Sequence, residues 1–276
     1  MILFRKVAIV GTGLIGGSLG LAIKKNKLAD MIVGVSRRKE SLEIAIKKGA
    51  IDQGSREFNL IDGADLVILA MPVDAIVRLA PKIAPFIASD CIVMDVGSTK
   101  ERIVRRLKDI FPNFVGTHPL AGLEKRGVAF ADAGLFKNSL CVITPTGKTN
   151  RKALGKIKAL WGKLGVRITL LTPDMHDRVL SFVSHLAHIV SFSLINSVPE
   201  KHLKFAATGL KDTTRIAASD SELWAEIFLS NSGNLLKSIN AFEKSLNGIK
   251  SAIRNKDKQK LILLLKQAKI KREKLG

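Results

Sequence analysis

The chain has 276 residues, 46% of them hydrophobic, with a mean hydropathy of +0.18 and a formal net charge of +21. That length can bury one substantial core or two modest ones, and no apolar run is expected to approach the ~20 residues that cross a bilayer, so a membrane partner is excluded. The positive charge is spread along the chain, with no helix-turn-helix or RNA-binding signature and no tyrosine to stack on bases, so nucleic acid is excluded as well.

In chain order, the pattern opens with an apolar strand at 6–10 that runs into a glycine-rich turn and a helix over 14–25. The opening stretch lacks a small-residue cleavage site and reads as a strand feeding a turn, not as a secretion signal. Further strands are expected at 31–35, 66–70, 92–96, 114–117, 140–144 and 167–171. Helical periodicity falls at 39–48, 74–86, 100–110 and 151–164. Alternation of this kind predicts an α/β fold with a doubly wound, mostly parallel sheet covered on both faces. After Thr172-Pro173 the strand signal stops. Helices are expected over 175–197, 204–218, 221–229 and 231–253, followed by a lysine-rich amphipathic tail helix. The expected division is therefore 1–172, a dinucleotide-binding domain, and 173–276, an all-α domain for substrate binding and dimerisation. Cys91 and Cys141 sit in apolar strand-like runs and read as buried thiols in a reducing, cytoplasmic setting.

Gly11, Gly13 and Gly16 form G-x-G-x-x-G between a strand and a helix, the context that gives this motif its meaning. Gly11 permits the tight turn, Gly13 lets a pyrophosphate approach the backbone, and Gly16 lets the helix pack closely. The helix N-terminus offers free N–H groups to the phosphates, so Gly11, Thr12, Gly13, Leu14, Ile15 and Gly16 are assigned to a dinucleotide in a Rossmann-type domain. NAD-binding chains usually carry Asp or Glu about 20 residues further on. Here the second strand ends in Ser36, Arg37 and Arg38, which suit a 2′-phosphate. NADP is therefore the preferred cofactor, with NAD as the alternative. Met71 and Pro72, after the strand at 66–70, border the cofactor.

Strand ends also carry the candidate chemistry. Ser98 follows the strand at 92–96, and His118 follows the one at 114–117. A neutral imidazole beside a nicotinamide can accept an alcohol proton as hydride leaves, and the serine hydroxyl can orient it. An unshifted His118 would titrate at ~6.5. In the helical part His185 and His188 share a helix face. Arg215, one turn after Asp212, can offer a guanidinium fork to a carboxylate or pair with that Asp. No Cys/His/Asp/Glu spacing suggests a metal.

The motifs "VGTGLIGGSLGLAIK", "DVGSTK", "GTHPLAG", "SHLAH" and "LKDTTRIA" occur in the order in which they occur in the prephenate/arogenate dehydrogenases of tyrosine biosynthesis, and the sequence resembles that family over nearly its whole length. The resemblance implies oxidative decarboxylation of prephenate to 4-hydroxyphenylpyruvate and CO2 with NAD(P)+, or of arogenate to tyrosine. It implies that His118 accepts the ring hydroxyl proton, that Ser98 bonds near that hydroxyl and the nicotinamide, and that Arg215 binds a substrate carboxylate. It places His185 and His188 along the substrate pocket and gives Asp177 and Asp212 the role of tying its walls together. It also implies a homodimer. "SHLAH" resembles prephenate enzymes and "VSRR" NADP-using arogenate enzymes; prephenate is preferred. No chorismate mutase domain is expected before the first strand and no ACT domain after the helical part, so a monofunctional enzyme is expected. A β-hydroxyacid dehydrogenase or imine reductase is the remote alternative, and Lys211 lacks the glycine-rich lysine-asparagine setting of those families.

Overall fold

The computed structural model describes residues 2–123 and 125–275. Met1 and Gly276, the outer limits of the two expected domains, lie outside the described residues. The chain forms two compact units, Met1–Asn231 and Ser232–Gly276.

In the first unit, strands β1 (Phe4–Val10), β2 (Ala29–Val35), β3 (Gln53–Ser55), β4 (Leu66–Leu69), β5 (Ile92–Asp95), β6 (Phe114–Pro119), β7 (Leu140–Thr144) and β8 (Arg167–Leu170) make one sheet in the order β3-β2-β1-β4-β5-β6-β7-β8. All pairs are parallel except β6 with β7. Five helices, α1 (Leu14–Lys25), α2 (Lys39–Lys47), α3 (Val73–Ile83), α4 (Glu101–Leu107) and α5 (Arg151–Lys163), connect the strands. Side chains alternate across a strand, so β1 serves both faces. Val7 and Ile9 join one core cluster with Leu19, Leu66 and Trp161, whereas Ala8 and Val10 join the other with Val33, Ile76 and Ile103. Residues 66–69 and 92–95 are buried on both faces, which explains the unbroken apolar runs of 66–69 and 92–94. From β1 the chain goes one way to β2 and β3, then returns past β1 to β4. The carboxyl ends of β1 and β4 are therefore a topological switch point, where open α/β sheets hold ligands.

Beyond β8 come α6 (Pro173–Leu180), a π-helical turn at Ser181–His185, α7 (Leu186–Ser197), α8 (Thr208–Thr214) and α9 (Ser221–Ser230). The second unit consists of α10 (Ser232–Arg254) and α11 (Lys258–Glu273). The Asp257 carboxylate caps α11, accepting from the Lys260 amide at 2.9 Å.

Several elements differ from the sequence expectation for identifiable reasons. Strand β3 is three polar residues without apolar alternation, so it gave no signal. The helix expected over 74–86 stops at Ile83 and continues as a 3₁₀ turn at Ala84–Phe86, where Pro85 cannot donate to an α ladder. The helix expected over 204–218 breaks into 3₁₀ turns at Glu200–Phe205 and Arg215–Ala218 flanking α8; Thr213 and Thr214 hydroxyls donate back to the Gly209 and Leu210 carbonyls at 2.8 and 2.7 Å and compete with the ladder. The expectation that no stretch is long and apolar enough to cross a bilayer is corrected too. Pro173–Ser197 has 25 residues with a mean hydropathy of 1.5 and meets that test by length and composition. It carries His176, Asp177, His185 and His188, however, and three of these side chains are buried.

At the sheet's carboxyl edge, Lys100 and Asp95 form a completely buried ion pair. Lys100 Nζ also donates to the Thr117 carbonyl at 2.7 Å, and the Gly97 amide donates to Asp95 at 2.8 Å. Replacing Lys100 with Met leaves a buried carboxylate without its cation, a change that costs about 3–5 kcal/mol. Urea denaturation of Lys100→Met should show that loss, and a midpoint equal to wild type would contradict this account of the pair.

Candidate active site

Two adjoining cavities open at the switch-point edge. The larger, of about 620 Å³, is lined by Gly11, Thr12, Gly13, Leu14 and Ile15 from the glycine turn. Ser36, Arg37 and Arg38 line it from the end of β2, Met71 and Pro72 from the end of β4, and Ser98 from the loop after β5. Of the residues assigned to the cofactor from sequence, Gly16 alone is not part of the lining; it lies buried behind the turn.

The glycine turn suits a dinucleotide phosphate on three observations. First, a Cβ on Gly13 would meet nothing within 4 Å, so the space above that backbone is open to a ligand. Second, Gly13 precedes α1 as its N-cap residue and offers no side-chain cap, leaving the helix's first N–H groups for an anion. Third, the Thr12 hydroxyl is buried with no hydrogen-bond partner inside the protein. The other two glycines serve the turn itself. Gly11 has φ +101°, and its Cβ would lie 2.5 Å from the Ala70 carbonyl oxygen; a Cβ on Gly16 would lie 2.1 Å from the carbonyl oxygen of Gly11. Arg56 and Arg78 also line this cavity and were missed from sequence, because only tertiary structure brings 56 and 78 beside 37.

The smaller cavity, about 500 Å³, shares Ser98, Ala121, Gly122, Leu123, Ser219 and Trp224 with the larger, so the two are continuous. His118, His185, His188 and Arg215 line it. His118 lies within β6, which runs two residues further than expected, and is paired with Val142 of β7. His185 closes the π-turn and His188 follows in α7; both face Trp224, which stacks on His188 with ring centroids 3.4 Å apart. Sequence reading missed Trp224. Asp212 is exposed on α8 and does not line the cavity. Asp177 is buried behind it.

That buried layer holds the largest omission of the sequence reading. His118 Nδ1 lies 2.8 Å from His176 Nε2, and His176 Nδ1 lies 2.7 Å from Asp177 Oδ1. Asp177 also accepts the backbone amides of Lys100 and Glu101, at 2.7 and 2.9 Å, and so caps α4. The Asn231 side chain donates to the Asp177 carbonyl at 2.7 Å and lies 3.2 Å from His185 Nδ1. The one available signal was the adjacent His-Asp pair in the first turn of the helix that begins at Pro173.

Burial sets the protonation states. His118 is held well below its ordinary value, first by desolvation and then by His176, Lys100 and His185. His176 and His185 are also pushed down, chiefly by burial, His185 to about 4. Desolvation pushes the Asp177 carboxyl up, against the pull of the two amides and the Lys100 cation. The arrangement thus presents neutral imidazoles and a guanidinium beside a dinucleotide-sized cleft, which can take up a proton and hold an anion next to a hydride acceptor. Both cysteines are free and buried, their thiols pushed to about 12 by desolvation. Among the described residues no group of three or more His, Cys, Asp or Glu could hold a metal.

Comparison with known proteins gives two family matches. Residues 19–170 match the prephenate dehydrogenase nucleotide-binding domain, and residues 172–267 match the prephenate dehydrogenase dimerization domain. The chain is 34% identical to the prephenate dehydrogenase of Bacillus subtilis, over 95% of this chain and 74% of that one. It is also 34% identical to the cyclohexadienyl dehydrogenase of Zymomonas mobilis, over 97% and 95%. Among solved structures, Aquifex aeolicus prephenate dehydrogenase in complex with hydroxyphenyl propionate and NAD+ superposes with a TM-score of 0.93 at 37% identity, covering 99% of this chain and 98% of that one.

The glycine geometry separates two variants. Gly13→Ala should fold with an unchanged melting temperature and bind the dinucleotide at least about tenfold more weakly, the equivalent of one lost phosphate hydrogen bond. Gly16→Ala should lose about 1–3 kcal/mol of stability by overpacking. Thermal melts paired with cofactor titration check both, and a Gly13→Ala protein that binds normally would refute the cradle.

Proposed function

Because the chain belongs to the prephenate dehydrogenase family, whose members are nicotinamide-dependent oxidoreductases, we propose that it converts prephenate to 4-hydroxyphenylpyruvate and CO2 in tyrosine biosynthesis. The observation that carries the substrate choice is the lining of the smaller cavity. It offers Arg215, His118, His185 and His188 and, among the described residues, no carboxylate. Arogenate differs by carrying an ammonium group, and a site that prefers it would place an anion near that charge. Prephenate carries two carboxylates and no ammonium, so a wall that carries Arg215 and, among the described residues, no carboxylate suits it.

The glycine turn, Ser36, Arg37 and Arg38 would hold the nicotinamide dinucleotide in the larger cavity, where it would supply the hydride acceptor. His118 faces the smaller cavity as a neutral imidazole and takes the proton of the ring hydroxyl. Ser98 lines both cavities and orients that hydroxyl between His118 and the cofactor. Arg215 grips a carboxylate. Loss of the ring carboxylate as CO2 leaves its electron pair in the ring, which becomes aromatic. We assign residues 1–172 to cofactor binding and 173–276 to substrate binding and dimerisation, in a cytoplasmic enzyme. The match to a dimerization domain supports a homodimer, as do Leu236, Leu246, Ile253, Leu263 and Ile270, which α10 and α11 leave exposed.

NADP is the cofactor we favour. Ser36, Arg37 and Arg38 meet Arg56 and Arg78 in the lining of one cavity, and none of the four residues directly after β2 is a carboxylate. The NAD+ held by the Aquifex aeolicus relative favours the alternative. Removing one charge-assisted contact by Arg37→Ala or Arg56→Ala should raise the KM for NADP+ by roughly tenfold or more and leave that for NAD+ unchanged. A wild-type protein with higher kcat/KM for NAD+ would reverse the assignment.

The deciding assay follows cofactor reduction with prephenate or arogenate crossed with NADP+ or NAD+. Prephenate should react fastest, and His118→Asn should lower kcat by roughly 10²–10⁴-fold. The pH profile has a definite sign. His118 must be neutral to act, and its value lies well below ~6.5. The acidic fall in kcat/KM should therefore sit below pH ~6.5, not at it as the unshifted imidazole would give, with a flat response from there to neutrality. A fall centred at or above pH ~6.5 would contradict a buried, cation-flanked base.

A further inference from the structure

Which nitrogen of His118 carries the proton decides whether it can act as a base toward the cavity, and the hydrogen bonds behind it determine the answer. Resting on the reading of His118 as the proton acceptor, we infer that His176 and Asp177 are positioning residues that hold His118 in the tautomer with its proton on Nδ1 and its lone pair on Nε2.

The argument runs from the carboxylate outward. Asp177 Oδ1 accepts the Lys100 amide and Oδ2 accepts the Glu101 amide. With both oxygens engaged by N–H donors, the contact from Oδ1 to His176 Nδ1 at 2.7 Å is satisfied by a proton on that nitrogen. A neutral His176 with its proton on Nδ1 has an unprotonated Nε2. That atom lies 2.8 Å from His118 Nδ1, so His118 must supply the proton of the bond. His118 Nε2 is then left as a bare acceptor for the cavity that the ring lines. When Nε2 takes the substrate hydroxyl proton, His118 becomes an imidazolium that keeps its Nδ1–H on His176, with the Asp177 charge one imidazole away. No proton need leave the chain of three in that step. An aspartate that orients a catalytic imidazole directly is a known device; here a second imidazole stands between them.

The two residues belong to α6, which shares no sequence neighbourhood with β6, and His176 is fully buried, out of reach of substrate. Its effect must therefore pass through His118. The charged and titratable groups around His118 are His176 from α6, Lys100 from the loop before α4 and His185 from the π-turn.

The test reads the tautomer directly. In protein labelled with ¹⁵N-histidine, long-range ¹H–¹⁵N spectra at neutral pH, assigned with His118→Asn, should show His118 protonated on Nδ1. His176→Phe removes the acceptor and should shift His118 toward the Nε2–H form. It should also lower kcat by roughly 10–100-fold, short of losing general-base help altogether, with KM within about threefold of wild type. His176→Gln, whose amide can accept from His118 and donate to Asp177, should restore the Nδ1–H form and most of kcat. A wild-type His118 protonated on Nε2 overturns the inference whatever the variants do. So does a folded His176→Phe protein with the wild-type tautomer or wild-type kcat. If no substrate reacts but the wild-type tautomer is Nδ1–H and shifts in His176→Phe, the functional reading fails and the positioning inference stands.

Discussion

The Asp177 carboxylate is the point on which the site's geometry depends. It accepts the amides of Lys100 and Glu101 and so caps α4, joining the helical segment after β8 to the carboxyl edge of the sheet. A side chain that satisfies orphan amides of a helix it does not belong to works as a tertiary clamp. The clamp fixes the loop between β5 and α4, and therefore Ser98. It fixes Lys100, whose side chain turns inward to Asp95 and the Thr117 carbonyl. Through His176 it reaches His118. Three chain segments far apart in sequence, around residues 95–101, 117–118 and 176–177, are thus registered by one carboxylate. Losing it would strand buried donors on both elements.

The cofactor half of the site is built by a different rule. There the backbone itself does the shaping, and the three glycines answer three separate demands. Gly11 holds a positive φ that other residues rarely adopt, against the Ala70 carbonyl. Gly16 lets α1 fold back over the carbonyl of Gly11, a contact within the turn more than with the sheet. Gly13 alone faces open space. The first two positions tolerate no side chain because protein fills the space, and the third because a ligand would.

These two rules explain what could be read from the sequence. Apolar runs such as 66–69 and the strand–glycine–helix order are local signals, so the parallel sheet, its helices and the phosphate turn were legible. The placement of Ser98 and His118 in the cavity lining was legible too, because Ser98 follows β5 and His118 lies near the carboxyl end of β6, the edge where open sheets hold ligands. Contacts that join segments were not. Nothing around Arg56, Arg78 or Trp224 marks them as cavity residues until the sheet is assembled. Lys100 and Asp95 looked like a helix start and a strand end, not a buried pair. His176 carries no local mark of its role, because its imidazole bridges Asp177 on one side and another element, β6, on the other, a contact made only in the folded chain. Asp212 shows the converse. Its spacing to Arg215 promised a pair on one helix face, but α8 ends between them and Asp212 stays in solvent.

The net charge of +21 tells little by itself, because most of it lies on exposed lysines that salt screens. The charge that matters is buried. Lys100 has no contact with solvent, and its field lowers the affinity of both His118 and His176 for protons. A site that must attract a dianion would ordinarily also attract protons onto its histidines, and a charged His118 could not accept another. Placing the fixed cation in the protein interior, beside its own carboxylate Asp95, separates the two effects. Burial keeps the imidazoles neutral, while Arg215 lines the cavity wall, and under the proposed function its guanidinium is the positive charge offered to the substrate. The same desolvation that would penalise an unpaired Lys100 is offset by Asp95 and the Thr117 carbonyl. The ion pair is therefore best understood as part of the site's electrostatics as well as of its scaffold, because a neutral isostere could fill the space but would leave the histidines easier to protonate.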